Sequence, residues 1–463
     1  MGGSRDAVNC ADATRCREGR RRLLPSGAMT SPAAAPTRRP PLAPPDDLTV
    51  PSPGSTTLRD VYGRYLSTVL RDLLALPRAR VSRAVTLELD RALRVLLDVS
   101  RREPAVAPLL IRSPDVSVLV RWASTAAMAR TPPDGLEAVL QRVALATLLE
   151  LARLRVLPAE GVELARPIGE LGSLPLGHVL RFDPMPRAVR FLPGALDLDY
   201  ATHRTTIDLS TLAPQSDAGV TITHPFARIR EGLALALVDA NPLAMFEAHP
   251  DKSGNAIDLG GREVPEWVDA LGAAYDVVDQ YLPEIAAEMR LMLRQVVPVG
   301  YYAEKHLSAS YAEAVGTVYL SLHDNLMTMT EALVHEFQHN KLNALLFLDP
   351  LLVNADTPLF TSPVRPDPRP LRGVLLAVHA FQPVACLYER MIEAGDARTA
   401  SPDARRRFLQ VVGINRRGCE VLLPNAEPTV IGRGLFDEIA RWDAHFDRYT
   451  HEDAARAVGA DEA

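Results

Sequence analysis

The chain has 463 residues, of which 47% are hydrophobic and 23% are charged, and its formal net charge is −6. This composition is typical of a globular protein and excludes a chain that is disordered or fibrous throughout. No apolar run approaches the roughly 20 residues that a membrane span needs. The negative net charge argues against a nucleic-acid partner. At roughly 100–200 residues per domain, the length allows two to four domains.

The cysteines indicate a reducing compartment. The four residues are Cys10, Cys16, Cys386 and Cys419, and no two of them have the C-x-x-C spacing of a zinc or redox site. The first residues contain arginines but no apolar segment before a small-residue cleavage site, so they do not resemble a secretory signal. We therefore expect a cytoplasmic protein without disulfides.

The amino-terminal part divides into a tail and a helical block. Residues 1–56 are predicted to be a disordered tail rich in proline and arginine, with nine prolines between Pro25 and Pro53. Residues 57–160 are predicted to form a helical domain, because apolar residues recur at helical spacing in four segments. These segments begin near Leu58, Thr86, Pro114 and Pro133.

The rest of the chain alternates between strand and helix patterns. Residues 161–300 are predicted to form a mixed region that contains several short strands and a helix from Pro265 to Leu293. Residues 301–463 are predicted to form a catalytic domain, with a strand at Gly316–Leu322 and helices beyond it. Strands grouped between helical blocks predict a mainly helical α+β fold with a small mixed or antiparallel sheet region.

The most informative residues are His335, Glu336 and His339, which form an H-E-x-x-H sequence within a strong helical pattern. Residues four apart lie on one face of a helix, so the two histidines can bind one metal ion together. Glu336 then lies beside the metal, where it can orient or deprotonate a bound water molecule as the catalytic acid or base. The spacing alone does not distinguish iron from zinc.

A metal enzyme of this kind needs a third protein ligand. The metzincin extension would require Gly at position 342 and His at position 345, and both positions are Leu. Two candidates remain further along the chain. His379 lies in an almost wholly apolar helix, where an imidazole without a partner is costly to bury. Glu389 would match a gluzincin, although Arg390 beside it also fits an ordinary ion pair.

Several segments together resemble the HEXXH motif-containing peptide modification proteins of ribosomal-peptide biosynthesis. The resemblance is best over residues 300–395, and its most specific part is the Arg-Pro-Leu-Arg-Gly sequence combined with the metal motif. The segments that carry it are Ser308–Ser310, Gly316–Leu322, Leu333–Lys341, Arg369–Val374, His379–Phe381 and Pro383–Ala385. This family is understood as 2-oxoglutarate-dependent peptide β-hydroxylases.

The resemblance implies a dioxygenase, an oxidoreductase that hydroxylates the β-carbon of a side chain in a ribosomally made precursor peptide. It implies Fe(II) held by His335, His339 and His379, with 2-oxoglutarate and O₂ as cosubstrates. The free carboxylate of 2-oxoglutarate requires a guanidinium partner, for which Arg369 and Arg372 are the candidates.

Two other functions stay open at this point. The same histidines and Glu336 suit a zinc metallopeptidase that cleaves a peptide, and a non-catalytic scaffold that binds peptides can retain a metal site. In each case we expect a peptide partner, no nucleic acid and no membrane, whereas the sequence leaves the oligomeric state open.

Overall fold

The computed structural model describes residues 41–76, 78, 81–126, 135–217, 219–246, 248–249, 252–364 and 367–460. Most of the predicted tail, including Cys10 and Cys16, lies outside these residues. Leu42–Ala463 forms one compact unit. The predicted α+β class is confirmed, with about 51% of the chain in helices and 17% in strands.

Helices form the first block of the described chain. Their bounds are α1 (Thr57–Leu74), α2 (Arg83–Arg102), α3 (Val106–Ile111), α4 (Pro114–Ala126) and α5 (Leu136–Arg153). The Ser82 hydroxyl caps α2 by accepting from the Val85 N–H. Proline occupies the first position of α4, where its missing N–H costs nothing. The four helices that the apolar spacing predicts are therefore present, and α3 is an additional short one.

Short strands follow and form two antiparallel sheets and part of a third. Their bounds are β1 (Val162–Leu164), β2 (Glu170–Ser173), β3 (His178–Phe182), β4 (Ala188–Leu192), β5 (Ala195–Asp199), β6 (Arg204–Asp208), β7 (Gln215–Asp217), β8 (Val220–Thr223), β9 (Phe226–Arg230), β10 (Leu233–Ala236), β11 (Ala248–His249) and β12 (Lys252–Ser253). One sheet has the order β1-β4-β5-β6 and another the order β2-β3-β8-β7, while β11 and β12 form a separate pair.

The helix predicted from Pro265 to Leu293 is two helices, α6 (Val264–Tyr281) and α7 (Pro283–Met292). Leu282 adopts φ −130° between them. Leu282 is followed by Pro283, the first residue of α7. Proline lacks an N–H and disfavours the helical conformation in the residue before it, so α6 ends and the chain turns at this point. The sequence-based prediction of one continuous helix is wrong here.

A five-stranded mixed sheet carries the third part of the fold. Its remaining strands are β13 (Gln295–Tyr301), β14 (Ser308–Ala309) and β15 (Thr317–Leu322), and the order is β14-β15-β13-β10-β9. Strand β13 pairs in parallel with both β10 and β15, whereas the two outer pairings are antiparallel. The predicted domain boundary near residue 300 therefore falls inside a sheet strand and does not separate compact units.

Helices and two short strands complete the chain. Their bounds are α8 (Leu326–Leu348), β16 (Leu359–Phe360), β17 (Arg369–Pro370), α9 (Leu371–Glu393), α10 (Pro402–Asn425) and α11 (Gly432–Ala460). Among the described residues, α9 alone is long and apolar enough to cross a membrane, and 78% of its most apolar window is buried within the fold. Such burial is typical of the core helix of a globular protein.

The end of the predicted tail is an ordered part of the fold. Leu48, Thr49 and Val50 are buried, and their backbone N–H groups all donate to the carboxylate of Glu438 in α11 at 2.8–3.0 Å. The prediction of disorder up to residue 56 is therefore wrong from residue 42 onward. The high proline content suggests disorder, and the local sequence gives no sign of the partner that stabilises the segment, because Glu438 lies almost 400 residues further along the chain.

This contact predicts where the chain can be shortened. A protein that begins at Thr57 loses three donors to a buried carboxylate, so we expect its free energy of unfolding to fall by about 3 kcal/mol or more. Urea denaturation measures the change. A protein that begins at Leu42 keeps all three hydrogen bonds and serves as the control. Equal stability of the two proteins would contradict the structural role assigned to residues 42–56.

Candidate metal centre

The helix that carries the motif is held between the mixed sheet and three other helices. Asn325 caps α8, because its side-chain oxygen accepts from the N–H groups of Met327 and Thr328. At the other end, Lys341 is fully buried and its ammonium lies 2.6 Å from the carboxylate of Glu288 in α7. A buried charge is tolerated only with such a partner, so this pair fixes the position of α8 against α7.

Asn340 and Ser310 attach the same helix to the sheet. The Asn340 side-chain oxygen accepts from the Gly316 N–H at 2.7 Å, and its amide group donates to the Thr317 carbonyl at 3.2 Å. The Ser310 hydroxyl donates to the carboxylate of Glu336 at 2.6 Å. These bonds fix the rotation of α8 about its own axis and the direction in which Glu336 points.

The two motif histidines converge as metal ligands would. Their Nε2 atoms lie 3.0 Å apart, and their ring planes are almost perpendicular. Burial lowers the pKa of both rings, so both are neutral near pH 7. A neutral imidazole is the form that binds a metal ion. Neither Nδ1 has a hydrogen-bond partner among the described residues.

Glu336 completes a group of three. Its carboxylate and the two imidazoles offer ligand atoms that all lie within 4.8 Å of one another. Two imidazoles and one carboxylate form the donor set of many non-haem iron oxygenases, and the same residues also suit zinc with the carboxylate as base. The three residues therefore fit a divalent transition metal, and this donor set does not distinguish the two metals.

A cavity of about 510 Å³ opens beside His339. Its volume is in the range of sites that hold a small organic molecule. Polar and apolar side chains from α4, α8, α9 and the segment after β14 line it, namely Arg121, Ser310, Ala312, His339, Asn343, Leu346, Phe347, Arg372 and Leu376. The cavity therefore brings a motif histidine and two guanidinium groups to the same space.

The two arginines predicted to bind a carboxylate differ in position. Arg372, in the first turn of α9, lines the cavity and also pairs with Asp356. Arg369 is not one of the lining residues; its Nε lies 2.8 Å from the carboxylate of Asp367, and its side chain covers Gly373. The structure thus places Arg372 in the lining of the cavity beside His339, whereas Arg369 is not part of that lining.

Arg121 is a cavity residue that sequence reasoning missed. Its guanidinium carbon lies 3.5 Å from the centroid of the Phe347 ring, and only 12% of its side chain is exposed. The nearest carboxylate oxygen, on Asp72, is 3.9 Å away. The sequence did contain a sign of its importance, since Arg121 is a single arginine among the mainly apolar residues of α4. A cation buried in such a helix needs a partner.

The structure does not bring His379 into the group of three. Phe381 and Leu376 are the α9 residues that approach the motif, since Phe381 packs on His335 with ring centroids 4.5 Å apart and Leu376 lines the cavity. At 3.6 residues per turn, His379 lies about 160° around α9 from Phe381 but only about 60° from Leu376. It is fully buried, and burial lowers its pKa, helped by the charges of Lys341 and His339. Neither of its ring nitrogens has a hydrogen-bond partner among the described residues. Its assignment as a ligand stays a prediction.

Glu389, the other candidate, belongs to a separate buried network. Its carboxylate lies 2.8 Å from His445 Nε2 and accepts from the hydroxyl of Tyr449 at 2.8 Å and from the guanidinium of Arg448. Burial alone would raise the pKa of Glu389, but these donors outweigh it and the pKa is lowered. The exposed ion pair expected with Arg390 is absent, because Arg390 pairs with Glu284 within the described structure.

His306 is a further residue that the sequence analysis did not single out. It lies in the connection between β13 and β14, four residues before Ser310, and its charge contributes to lowering the pKa of His335. The surrounding sequence has no metal-binding spacing, so only the folded chain shows that the two histidines are near each other.

Neither the family models nor the curated proteins that we compared with this chain match it.

The convergence of the two imidazoles predicts the effect of removing either one. We expect His335→Ala and His339→Ala to lose most of the bound metal, because one remaining imidazole gives up much of the binding free energy. Metal analysis of the purified proteins measures this. Leu348→Ala, in the last turn of α8 and outside the cavity lining, is the control. Full metal occupancy in both histidine variants would disprove the assignment.

The variants His379→Ala and Glu389→Gln test the third ligand. If His379 is a ligand, His379→Ala loses metal. We expect this loss, because both ring nitrogens of the buried His379 imidazole lack a hydrogen-bond partner among the described residues; a variant that keeps the metal and unfolds at a lower temperature would make His379 a core residue. We expect Glu389→Gln to keep the metal and lose stability above about pH 5, where the native carboxylate is ionised. Loss of metal in Glu389→Gln would instead indicate that Glu389 is the third ligand, as in a gluzincin.

Proposed function

We propose that this protein is a cytoplasmic Fe(II)/2-oxoglutarate-dependent dioxygenase that hydroxylates the β-carbon of a side chain in a ribosomally made precursor peptide. The observation that supports this best is the cavity in which His339, Arg121 and Arg372 meet. A ligand that chelates the metal at one end and carries a free carboxylate at the other matches that arrangement. The resemblance to peptide β-hydroxylases points to the same reaction.

Each residue of the centre has a role in this proposal. His335 and His339 would hold the metal through their Nε2 atoms, and His379 is the proposed third ligand. When bound, Fe(II) together with 2-oxoglutarate and O₂ supplies the oxidising chemistry. Glu336, held by Ser310, can accept or return a proton at its carboxylate. The side chains of Leu346 and Leu376 reduce the access of water to the reacting groups.

Charge complementarity supports 2-oxoglutarate as the cosubstrate. A buried carboxylate without a partner would cost several kcal/mol, and the planar guanidinium group matches both of its oxygens. Arg372 is half-exposed and bound to Asp356, so it can exchange one carboxylate partner for another. Arg121 is held on the Phe347 ring and presents a fixed charge to the cavity.

The position of the peptide follows from the sheet. Strand β15 precedes α8, and its neighbours in the sheet are β13 and β14. Strand β15 is therefore not free to pair with an extended substrate. The outer strand is β14, and Ser310, directly after it, contacts Glu336. An extended peptide along β14 would therefore pass close to the metal centre.

A zinc metallopeptidase is the second candidate, and one observation favours it. Glu336 lies within 4.8 Å of both imidazole nitrogens, which is where the general base of such an enzyme acts on a metal-bound water. This function requires no anionic cosubstrate and leaves the two cavity arginines without a role. A non-catalytic scaffold would bind peptide and metal without turnover.

Mass spectrometry of a co-expressed peptide tests the proposal directly. Peptides encoded beside this gene are the substrates to try, with iron and 2-oxoglutarate present. We expect a gain of about 16 Da, the mass of one oxygen atom, on one residue. His335→Ala is the inactive control. Cleavage of the peptide by zinc-loaded protein without 2-oxoglutarate would establish the peptidase. A peptide that is unchanged under both conditions would favour a non-catalytic scaffold.

The cavity arginines predict a separate kinetic effect. We expect Arg372→Ala to raise the KM for 2-oxoglutarate at least about tenfold, since a charge-assisted hydrogen bond contributes about 1.5–3 kcal/mol, while the metal content stays unchanged. The formation of succinate measures turnover. Arg369→Ala is the matched control, because Arg369 lies outside the cavity and should have a smaller effect. A larger effect from Arg369→Ala would contradict the assignment of Arg372 as the carboxylate partner.

A further inference from the structure

A second cavity, of about 400 Å³, lies apart from the metal centre and shares no lining residue with the first. It is formed where the end of α3, the end of α5, the turn after β2 and the β9–β10 hairpin come together. Its lining residues are Leu109, Arg112, Ser113, Pro114, Arg153, Leu174, Pro175, Arg228, Arg230, Gly232, Leu233, Ala234 and Arg294. We name it the arginine cleft.

Five of these residues are arginines and none is acidic, namely Arg112, Arg153, Arg228, Arg230 and Arg294. The cleft is therefore lined by positive charge, although the whole chain has a net charge of −6. Charge of one sign around a concave surface attracts and orients ligands of the opposite sign. The cleft is therefore suited to an anionic ligand.

The partners of the arginines show how much of this charge is already neutralised. Arg153 lies 2.9 Å from Glu150, and Arg230 pairs with Asp276. In the described structure, no carboxylate lies within 4.0 Å of Arg112, Arg228 or Arg294. Three of the five guanidinium groups thus lack an acidic partner.

The three remaining arginines differ in their freedom to bind a ligand. Arg294 donates to backbone carbonyls at the end of α7, including those of Arg290 and Leu293, and so stabilises that helix. Arg112 donates to the Leu291 carbonyl with one nitrogen, while its Nε is buried without a partner in the described chain. Arg228 is exposed on β9 and is the arginine most available to a ligand.

The apolar part of the cleft and its position in the sheet indicate what kind of anion fits. Leu109, Leu174 and Leu233 lie among the charged groups, so an anion that also carries apolar groups fits the cleft better than a small inorganic anion. Strand β9 is the outer strand of the mixed sheet. An extended peptide can therefore pair its backbone with β9 while alternate side chains enter the cleft.

We propose that the arginine cleft binds an acidic segment of a peptide, in which carboxylate and apolar side chains lie two residues apart and so face the cleft together. If the function proposed above is correct, this segment belongs to the substrate outside the position that is hydroxylated, and this part of the inference rests on that function. The cleft then holds the peptide while another segment reaches the metal centre. The binding of an acidic segment does not itself depend on the metal.

A binding measurement with defined peptides tests the cleft. The probe is a fluorescein-labelled peptide with the repeat Glu-Ser-Leu-Ser, which places Glu and Leu on one face of an extended chain, and the control peptide has Gln in place of Glu. Fluorescence anisotropy should show that the acidic peptide binds at least about tenfold more tightly, because it forms charge-assisted pairs. We expect Arg228→Glu to weaken binding at least about tenfold by adding like-charge repulsion.

The matched control is Arg187→Glu, which reverses the charge of another exposed arginine outside the cleft and should leave binding unchanged. His335→Ala should also bind normally, so this result stands whether or not the protein proves to be a hydroxylase. Equal binding of the Glu and Gln peptides, or normal binding by folded Arg228→Glu, would overturn the proposal. Displacement of the probe by equimolar inorganic phosphate would reassign the cleft to a small anion and would overturn it too.

Discussion

The candidate site depends on the hydrogen bonds that Asn340 makes one helical position beyond the motif. A helix packed on a sheet by apolar contacts alone can rotate about its axis at little cost, because such contacts are not directional. The Asn340 amide removes this freedom, since it bonds both the Gly316 N–H and the Thr317 carbonyl. With the rotation of α8 fixed, both imidazoles face the same point and Glu336 reaches Ser310.

The buried ion pair between Lys341 and Glu288 adds a constraint of a different kind. Ion pairs of this type contribute little net stability, because desolvation offsets most of the attraction. Removing one partner, however, leaves a buried charge without its ion-pair partner, so alternative packings of α8 against α7 are strongly disfavoured. Together with the bond between Glu331 and Tyr388 of α9, the pair fixes the position of the motif relative to its neighbours.

The sequence predicted those parts of the fold and site that local spacing determines. Helices such as α2 and strands such as β15 follow from apolar periodicity, and the convergence of the two imidazoles follows from two histidines four residues apart. The ordered segment around Leu48 could not be predicted, because its hydrogen bonds all go to Glu438, in the last helix. Likewise, the side on which α9 presents His379 depends on how that helix packs, which its uniformly apolar sequence does not reveal.

The contact between residues 48–50 and Glu438 also bears on the order of folding. During synthesis the amino-terminal segment emerges long before α11, and it has no place to dock until almost the whole chain has been made. Closing so long a loop is entropically costly, and the cost is recovered only when both ends are present. The docking of residues 48–50 on α11 is therefore expected to be a late step in folding. A chain interrupted before residue 438 would leave this segment exposed to proteases.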